Sequence, residues 1–450
     1  MKLYEAFNIV AGDVVAFIGA GGKTSTLLNL GHELAEMGWR VLATTTTSIE
    51  EDQLGLLPRA IAPDAGSDVI SQALSESGFV FLYDKIKGGA VYGPQPSWIP
   101  HLMDAVDSDV LLIEADAANR LPLKAPFSHE PVIPPETSLV IQVASMAAIG
   151  QPLDDDHIYN AQAIIDRYGF PKGGRIRSPW LAQVIRDETL GLRNVPEGAR
   201  TVAFLNRVAP HINTRARARL IARIALRTQR LHSVVIGSDR GADPVYEVQR
   251  PVAAVIMAAG LSTRMGQPKI LMPWGDKPTM IEHIIQQLHA ARLDAINVVV
   301  GHEARQVKDA IAPYGVNAVY NRSFKSGEML SSLKVGLRAL PDHIAAAMLV
   351  LGDQPQLQPK VLYQLLNTYA ENTDQIIVPS YQMRRGHPII IGRRHWGDIF
   401  NLPRNESPRT FMNAHADHIR YVNVDSDSIL RDVDTPQDYA QERWRAGLKK

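Results

Sequence analysis

Short apolar runs separated by helical patterns recur along the whole chain, and this alternation is what most limits how it can fold. In the first half the runs are DVVAFIGA (Asp13–Ala20), RVLATTTT (Arg40–Thr47), DVLLIEAD (Asp109–Asp116), SLVIQVAS (Ser138–Ser145), TVAFLNRV (Thr201–Val208) and SVVIGS (Ser233–Ser238). The second half restarts with PVAAVIMAAG (Pro251–Gly260) and continues with INVVVG (Ile296–Gly301), AAAMLVLGD (Ala345–Asp353) and QIIVPSY (Gln375–Tyr381). Strand-like runs alternating with amphipathic helices imply parallel α/β architecture. Between the runs, Ile281, Ile284, Ile285 and Leu288 fall at i, i+3, i+4 and i+7, the spacing of one buried helix face. Leu27, Leu30, Leu34 and Met37 make a second such stripe.

At 450 residues the chain exceeds one ordinary core, so two domains of roughly 200 residues are expected. The stretch SDRGADPVYEVQRP (Ser238–Pro251) is polar, aperiodic and holds glycine and proline. It places the seam near residue 248, giving domains 1–247 and 248–450. Lys plus Arg equals Asp plus Glu, 47 each, so no global basic field points to nucleic acid. The absence of cysteine excludes disulfides, thiolate metal sites and cysteine nucleophiles. There is no signal-like N-terminal segment, and no apolar run reaches about 18 residues. The expectation is a soluble cytoplasmic protein without membrane contact. The arginines of RARARLIARIALRTQR (Arg215–Arg230) read as a solvated helix face rather than an anion site.

Two glycine loops carry the chemistry. FIGAGGKTST follows a strand and opens a helix, so Gly19, Gly21, Gly22, Lys23, Thr24 and Ser25 are expected to bind phosphate at a helix N-terminus. The spacing is P-loop-like but deviant, because Phe17 stands where the standard motif has glycine. Lys23 would meet the β and γ phosphates of ATP or GTP, and Thr24 would ligate Mg²⁺. Glu114 and Asp116 end a strand, and either suits the role of a metal-holding carboxylate. Asn206 sits where GTPases read guanine, but Arg207 and Ala209 break that motif, so guanine specificity is not expected.

The second loop, MAAGLSTRMGQPK, fits neither the dinucleotide nor the P-loop spacing. A strand ending in Ala258-Ala259-Gly260 lets the backbone approach a ligand, and Arg264 and Lys269 supply cations of different character. Downstream, Asp353 ends an apolar strand, where ligands of open α/β sheets bind. A carboxylate there can hold Mg²⁺. Asp432 and Asp434 precede a helix start at Thr435-Pro436. Asp434 suits capping or metal binding equally, whereas Asp438 reads as a cap. Met272 to Trp274 read as packing residues.

Taken together, MAAGLSTRMGQPK, LGDQP, RRGHPIII and DVDTPQD resemble the molybdenum cofactor nucleotidyltransferase family, within the glycosyltransferase-A-type, Rossmann-like nucleotidyltransferases. The resemblance runs from Val252 to the C-terminus. It implies that Ala258, Ala259, Gly260, Leu261 and Ser262 hold the nucleotide, that Arg264 and Lys269 neutralise its phosphates, and that Asp353 and Asp434 hold Mg²⁺. The AAGLS form is closer to cytidylyl- than to guanylyl-transferring members, favouring CTP over GTP. Ser331, Ser332 and His387 match segments near the acceptor, molybdopterin; each also reads as a structural residue. The implied reaction moves CMP from CTP to the pterin phosphate. A sugar or polyol phosphate acceptor, or a nucleotide-switched cofactor chaperone without transfer, is the alternative.

The first half resembles the accessory-protein family of selenium-dependent molybdenum hydroxylases, through GAGGKTS, VLATTTTS and EADAANRLPLKAPFSHEPVIP (Glu114–Pro134). Ala117 departs from the glycine usual in that pattern. This resemblance implies a nucleotide-binding domain that serves cofactor delivery and contacts an apo molybdenum hydroxylase.

Overall fold

The computed structural model describes residues 1–448 except Pro63, Asp64, Ala242, Asp294 and residues 326–328. The chain forms two compact units, Met1–Gln249 and Arg250–Lys450. Among the described residues no helix is long and apolar enough to cross a membrane.

The first unit is built on a nine-stranded sheet. Its order is Val245–Gln249, Ser233–Gly237, Arg200–Asn206, Leu139–Ser145, Val14–Gly19, Val110–Glu114, Val41–Thr45, Phe79–Leu82 and Arg59–Ile61. All neighbours are parallel except the edge pair Ser233–Gly237 and Val245–Gln249. Both sheet faces are covered, which is why the central strands are buried at nearly every position and read as near-continuous apolar runs. Val14, Ala16 and Ile18 enter one core, while Val15 and Phe17 enter the other. The helix Lys23–Glu36 packs Leu27, Leu30 and Leu34 into the second core. Met37 departs from the expected stripe: the helix ends at Glu36, and Met37 is 48% exposed in the turn beyond.

Two expectations fail here for one reason. The supposedly aperiodic seam contains the strand Val245–Gln249, and of the arginines expected on a solvated face Arg217 and Arg227 are exposed, whereas Arg215 and Arg219, on the helix Ile212–Ala225 beside the strand, are not. Glu247, in that strand, is 0% exposed. Arg219 Nε donates to its two carboxylate oxygens at 3.0 and 2.8 Å, and Arg215 approaches at 3.4 Å. A charged residue at a buried strand position hid the strand's pattern, and its partners passed for a surface.

The second unit has an eight-stranded sheet. Asn317–Tyr320, Ile296–Val300, Val252–Ala258 and Ala346–Leu351 run parallel, in that order. Ile389–Gly392 follows antiparallel, then Ile376–Tyr381, which also pairs with Arg384–Arg385 and Ile419–Asn423. The helix Met280–Ala290 buries Ile281, Ile284, Ile285 and Leu288, as their spacing predicts. Trp274 packs with Met280 and Val433, so the Met272–Trp274 segment belongs to a core. Val252–Ala258 and Ala346–Leu351 are neighbours, so their carboxyl ends place the glycine loop and Asp353 side by side.

Candidate functional site

A cleft of about 470 Å³ opens at those carboxyl ends. Ala258, Ala259, Gly260, Leu261, Ser262 and Arg264 of the glycine loop line it, together with Lys269, Asp353, Asp432 and Asp434. The loop folds back on itself. Met265 N–H donates to the Ser262 carbonyl at 3.0 Å, and the Lys269 backbone N–H donates to Ser262 Oγ at 3.2 Å. A Cβ added at Gly260 would meet no protein atom within 4 Å, so this position faces open cleft. The close approaches lie behind the loop. A Cβ at Gly301 would stand 2.8 Å from the Ala259 carbonyl oxygen, and one at Gly352 2.9 Å from that of Met257.

Lys269 is the centre of the site. Its Nζ reaches Asp353 Oδ2 at 2.6 Å and Asp434 Oδ1 at 2.8 Å. Burial lowers its pKa, but the Asp353 charge and the hydrogen bonds to both carboxylates outweigh burial, so the net shift is upward. Lys269 is therefore a fixed cation. Arg264 meets Asp434 at 3.1 Å but is 73% exposed along its side chain, placed at the rim. Asp432, although exposed as a residue, has its pKa raised by burial of the carboxyl and then by Asp353 and Asp434; the Gln354 hydrogen bond opposes this. Three carboxylates against one enclosed lysine leave room for a further cation. Asp353 Oδ1 is buried without a hydrogen-bond partner, and so fits a metal ligand.

Contacts distant in sequence hold these carboxylates in place. Val433 N–H donates to the Asp353 carbonyl at 2.9 Å, and Gln354 Nε2 donates to Asp432 Oδ1 at 2.7 Å. Thr435 caps the last helix, Pro436–Arg445, in a reciprocal capping box with Asp438, which fixes the turn that presents Asp434. Gln354 lies within the LGDQP motif, but sequence reasoning gave it no role, because its partner Asp432 is distant in the chain.

Ser332 opens on the cleft, whereas Ser331 is not part of its lining. Buried Asn321 donates from Nδ2 to both serine hydroxyls at 2.9 Å, another contact that spacing does not reveal. Residues 326–328 of the same segment lie outside the described residues. His387 is also absent from the cleft lining, yet near enough for the Asp353 charge to act on it. Burial lowers its pKa and Asp353 opposes, leaving a neutral imidazole.

The first unit places its glycine loop at the carboxyl end of its central strand, Val14–Gly19. Gly19, Gly21 and Gly22 have φ of 90°, 85° and 130°. A Cβ at Gly19 would sit 2.2 Å from the Val143 carbonyl oxygen, and one at Gly22 2.2 Å from Asn206 Nδ2. Asn206 is fully buried and donates to the Gly21 carbonyl at 2.9 Å, so it braces the loop. Gly22 is the N-cap of the helix Lys23–Glu36, with no side chain capping the N–H groups.

Gly21, Gly22, Lys23, Thr24, Ser25 and Glu114 line a cavity of about 280 Å³. Gly19 and Asp116 lie behind it, against a smaller void. Lys23, 5% exposed, donates to the Gly19 carbonyl at 2.9 Å and pairs with Asp116 at 3.1 Å and Glu114 at 3.7 Å. Burial lowers its pKa, and Asp116 and Glu114 more than reverse that. Thr24 Oγ1 donates to Glu114 Oε2 at 2.8 Å, so a hydroxyl and a carboxylate stand together as magnesium ligands commonly do. Sequence reasoning gave Lys124 and Glu130 no role. Lys124 Nζ pairs with Asp116 at 3.2 Å and Glu130 at 3.0 Å, tying the acidic strand end to the next loop.

Comparison with known proteins divides along the chain. The family described as YqeC protein matches residues 15–162, and the MobA-like NTP transferase domain matches residues 254–419. The uncharacterized protein YqeC of Escherichia coli (strain K12) is 33% identical over 208 residues, which is 46% of this chain and 81% of that protein. The molybdenum cofactor cytidylyltransferase of the same organism is 26% identical over 197 residues, 43% of this chain and 97% of that protein. Among solved structures, Rv0371c from Mycobacterium tuberculosis H37Rv is similar at 28% identity and a TM-score of 0.38, covering 43% of this chain and 97% of that one.

Proposed function

Because the chain belongs to the YqeC protein family through its first unit and is a nucleotidyltransferase through its second, we propose that the second unit transfers CMP from CTP to molybdopterin. The observation that carries the reading is Lys269, enclosed between Asp353 and Asp434 and lining the same cleft as Ala258–Ser262. Further support is the likeness to a protein named as a molybdenum cofactor cytidylyltransferase.

In this mechanism the loop backbone at Ala258–Ser262 seats the nucleotide. The terminal phosphate oxygen of molybdopterin attacks the α-phosphorus of CTP in line. The new P–O bond forms as the bond to the β-phosphate oxygen breaks, and pyrophosphate leaves with the electron pair. The nucleophile is already an anion, so no strong general base is required. The protein's contribution is positioning and charge neutralisation. Lys269 and Arg264 meet the phosphates. Asp353 and Asp434 would hold Mg²⁺, which would supply neutralisation of phosphate charge. Ser332, which lines the cleft, orients the acceptor, and His387, set back from the lining, supports that end of the site through Asp353.

The first unit binds ATP or GTP at Gly19–Ser25, where Thr24 and Glu114 would hold a second Mg²⁺. It acts in handing the finished cofactor to an apo molybdenum hydroxylase. The test is pyrophosphate release by the full chain with CTP or GTP against molybdopterin, a sugar phosphate and a polyol phosphate. Release with CTP and molybdopterin alone is expected. Release with only a sugar or polyol phosphate would overturn the acceptor assignment.

A further inference from the structure

The sheet of the second unit has a second polar cluster, at the edge away from the nucleotide cleft. The strand Ile389–Gly392 runs antiparallel to Ala346–Leu351, with Gly392 opposite Ala346. The chain therefore leaves Gly392 at the opposite end from Asp353, and His395 follows. Ile376–Tyr381 and Ile419–Asn423 are parallel, with Ile376 opposite Ile419, so both begin at this same edge. His415 and His418 arrive just before the second of them. Asp398 stands one helical turn beyond His395, in the helix Trp396–Asn401.

Topology thus gathers residues some twenty positions apart. One ligand atom from each of His395, Asp398 and His415 lies within 4.8 Å of the other two. His415 Nε2 and Asp398 Oδ2 are 3.0 Å apart. The ring centroids of His395, His415 and His418 are separated by 5.4, 5.9 and 6.1 Å. Around a tetrahedral ion with Zn–N near 2.0–2.1 Å, ligand atoms stand roughly 3.3 Å apart and imidazole centroids roughly 5.2 Å apart. The three centroid separations are each within about an ångström of that spacing, while the ligand atoms that come together are those of His395, Asp398 and His415, with His418 beside them.

The outer contacts suit metal binding as well. His415 Nδ1 lies 3.0 Å from the Phe411 carbonyl oxygen, and His395 Nε2 lies 3.3 Å from that of Asp374. An imidazole that donates one N–H to a carbonyl presents its other nitrogen as a ligand. Asp398 is exposed, which gives an ion a way in.

We propose that His395, Asp398 and His415, with His418 beside them, form a binding site for a divalent transition metal of the zinc class. Imidazoles with one carboxylate are the donor set such an ion prefers. The bound ion ties the helix Trp396–Asn401 to the segment that leads into Ile419–Asn423, and takes no part in nucleotidyl transfer.

The experiment dialyses chelator-treated full chain against Zn²⁺, measuring bound metal and the melting temperature. Wild type is expected to bind Zn²⁺ and to melt higher in its presence. Asp398→Asn and His415→Ala are each expected to weaken this binding by at least about 10- to 100-fold, the loss typical even of an outer-shell partner. Asp353→Asn, altered in the other cleft, keeps it. Asp398 is exposed, so its variant tests the site even if substitution of a histidine prevents folding. Equal Zn²⁺ binding and equal melting shifts in wild type, Asp398→Asn and His415→Ala would overturn the proposal, as would no Zn²⁺ binding by wild type.

Discussion

Replacing Lys269 with alanine separates catalysis from stability more cleanly than any other substitution in the cleft. The lysine contacts Asp353 at 2.6 Å and Asp434 at 2.8 Å, and both partners are partly exposed. The lysine side chain is only 14% exposed, so the pairs lie between the exposed case of about 0–1 kcal/mol each and the costlier buried case, and the fold should lose about 1–2 kcal/mol. For a unit of this size each such kcal/mol lowers the melting temperature by about 2–4 °C. The same ammonium, aimed at the charge that develops on the phosphates, is worth far more to the reaction. Losing one such contact costs about 10²- to 10³-fold in rate, or about 2.7–4 kcal/mol of barrier. The assay is CTP-dependent pyrophosphate release by Lys269→Ala, with its melting curve alongside. A folded variant that lost less than about 5-fold would refute the assignment of Lys269 to the phosphates.

Other substitutions probe separate parts of the account. Lys23→Ala should weaken ATP binding by about 10-fold or more, from the loss of a charge-assisted contact, and leave CTP-dependent release unchanged; nucleotide titration checks it. Arg219→Ala removes the shortest ion pair of buried Glu247, leaving the longer Arg215 contact and the Gln249 Nε2 hydrogen bond at 3.2 Å, and should cost about 3 kcal/mol in denaturant unfolding, part of which Glu247→Gln restores. Asp438→Ala breaks the Thr435 capping box and should cost about 1 kcal/mol near neutral pH. The Thr435 hydroxyl hydrogen bond is the main cause lowering the Asp438 pKa from 3.8. Its contribution is therefore present above that value and lost as pH falls through the lower folded value. Wild type and Asp438→Ala should converge in acid, as stability curves against pH will show.

The sequence reveals the strands that are buried on both faces, because nothing else makes a run as continuous as Val14–Ile18. It also reveals the two glycine loops, since each follows such a strand. It is nearly silent where the determining contact is distant or polar. Val245–Gln249 was obscured by Glu247, whose partners lie on a helix that begins thirty-odd residues earlier. Gln354 and Asn321 have no periodic signature; each matters through groups brought to it by the sheet. Gly301 and Gly352 look like ordinary strand ends until the loop backbone is seen packed against them. The histidine cluster follows the same rule, since two helices and a strand register bring together residues that no motif connects.

The most direct test of the central claim follows the α-phosphorus. Full chain is incubated with molybdopterin and CTP labelled at that position, and the products are identified by mass spectrometry. The account predicts the label in a cytosine dinucleotide of the pterin, with pyrophosphate in equal amount. Label recovered only in free CMP or in unreacted CTP, from a folded protein, would contradict it.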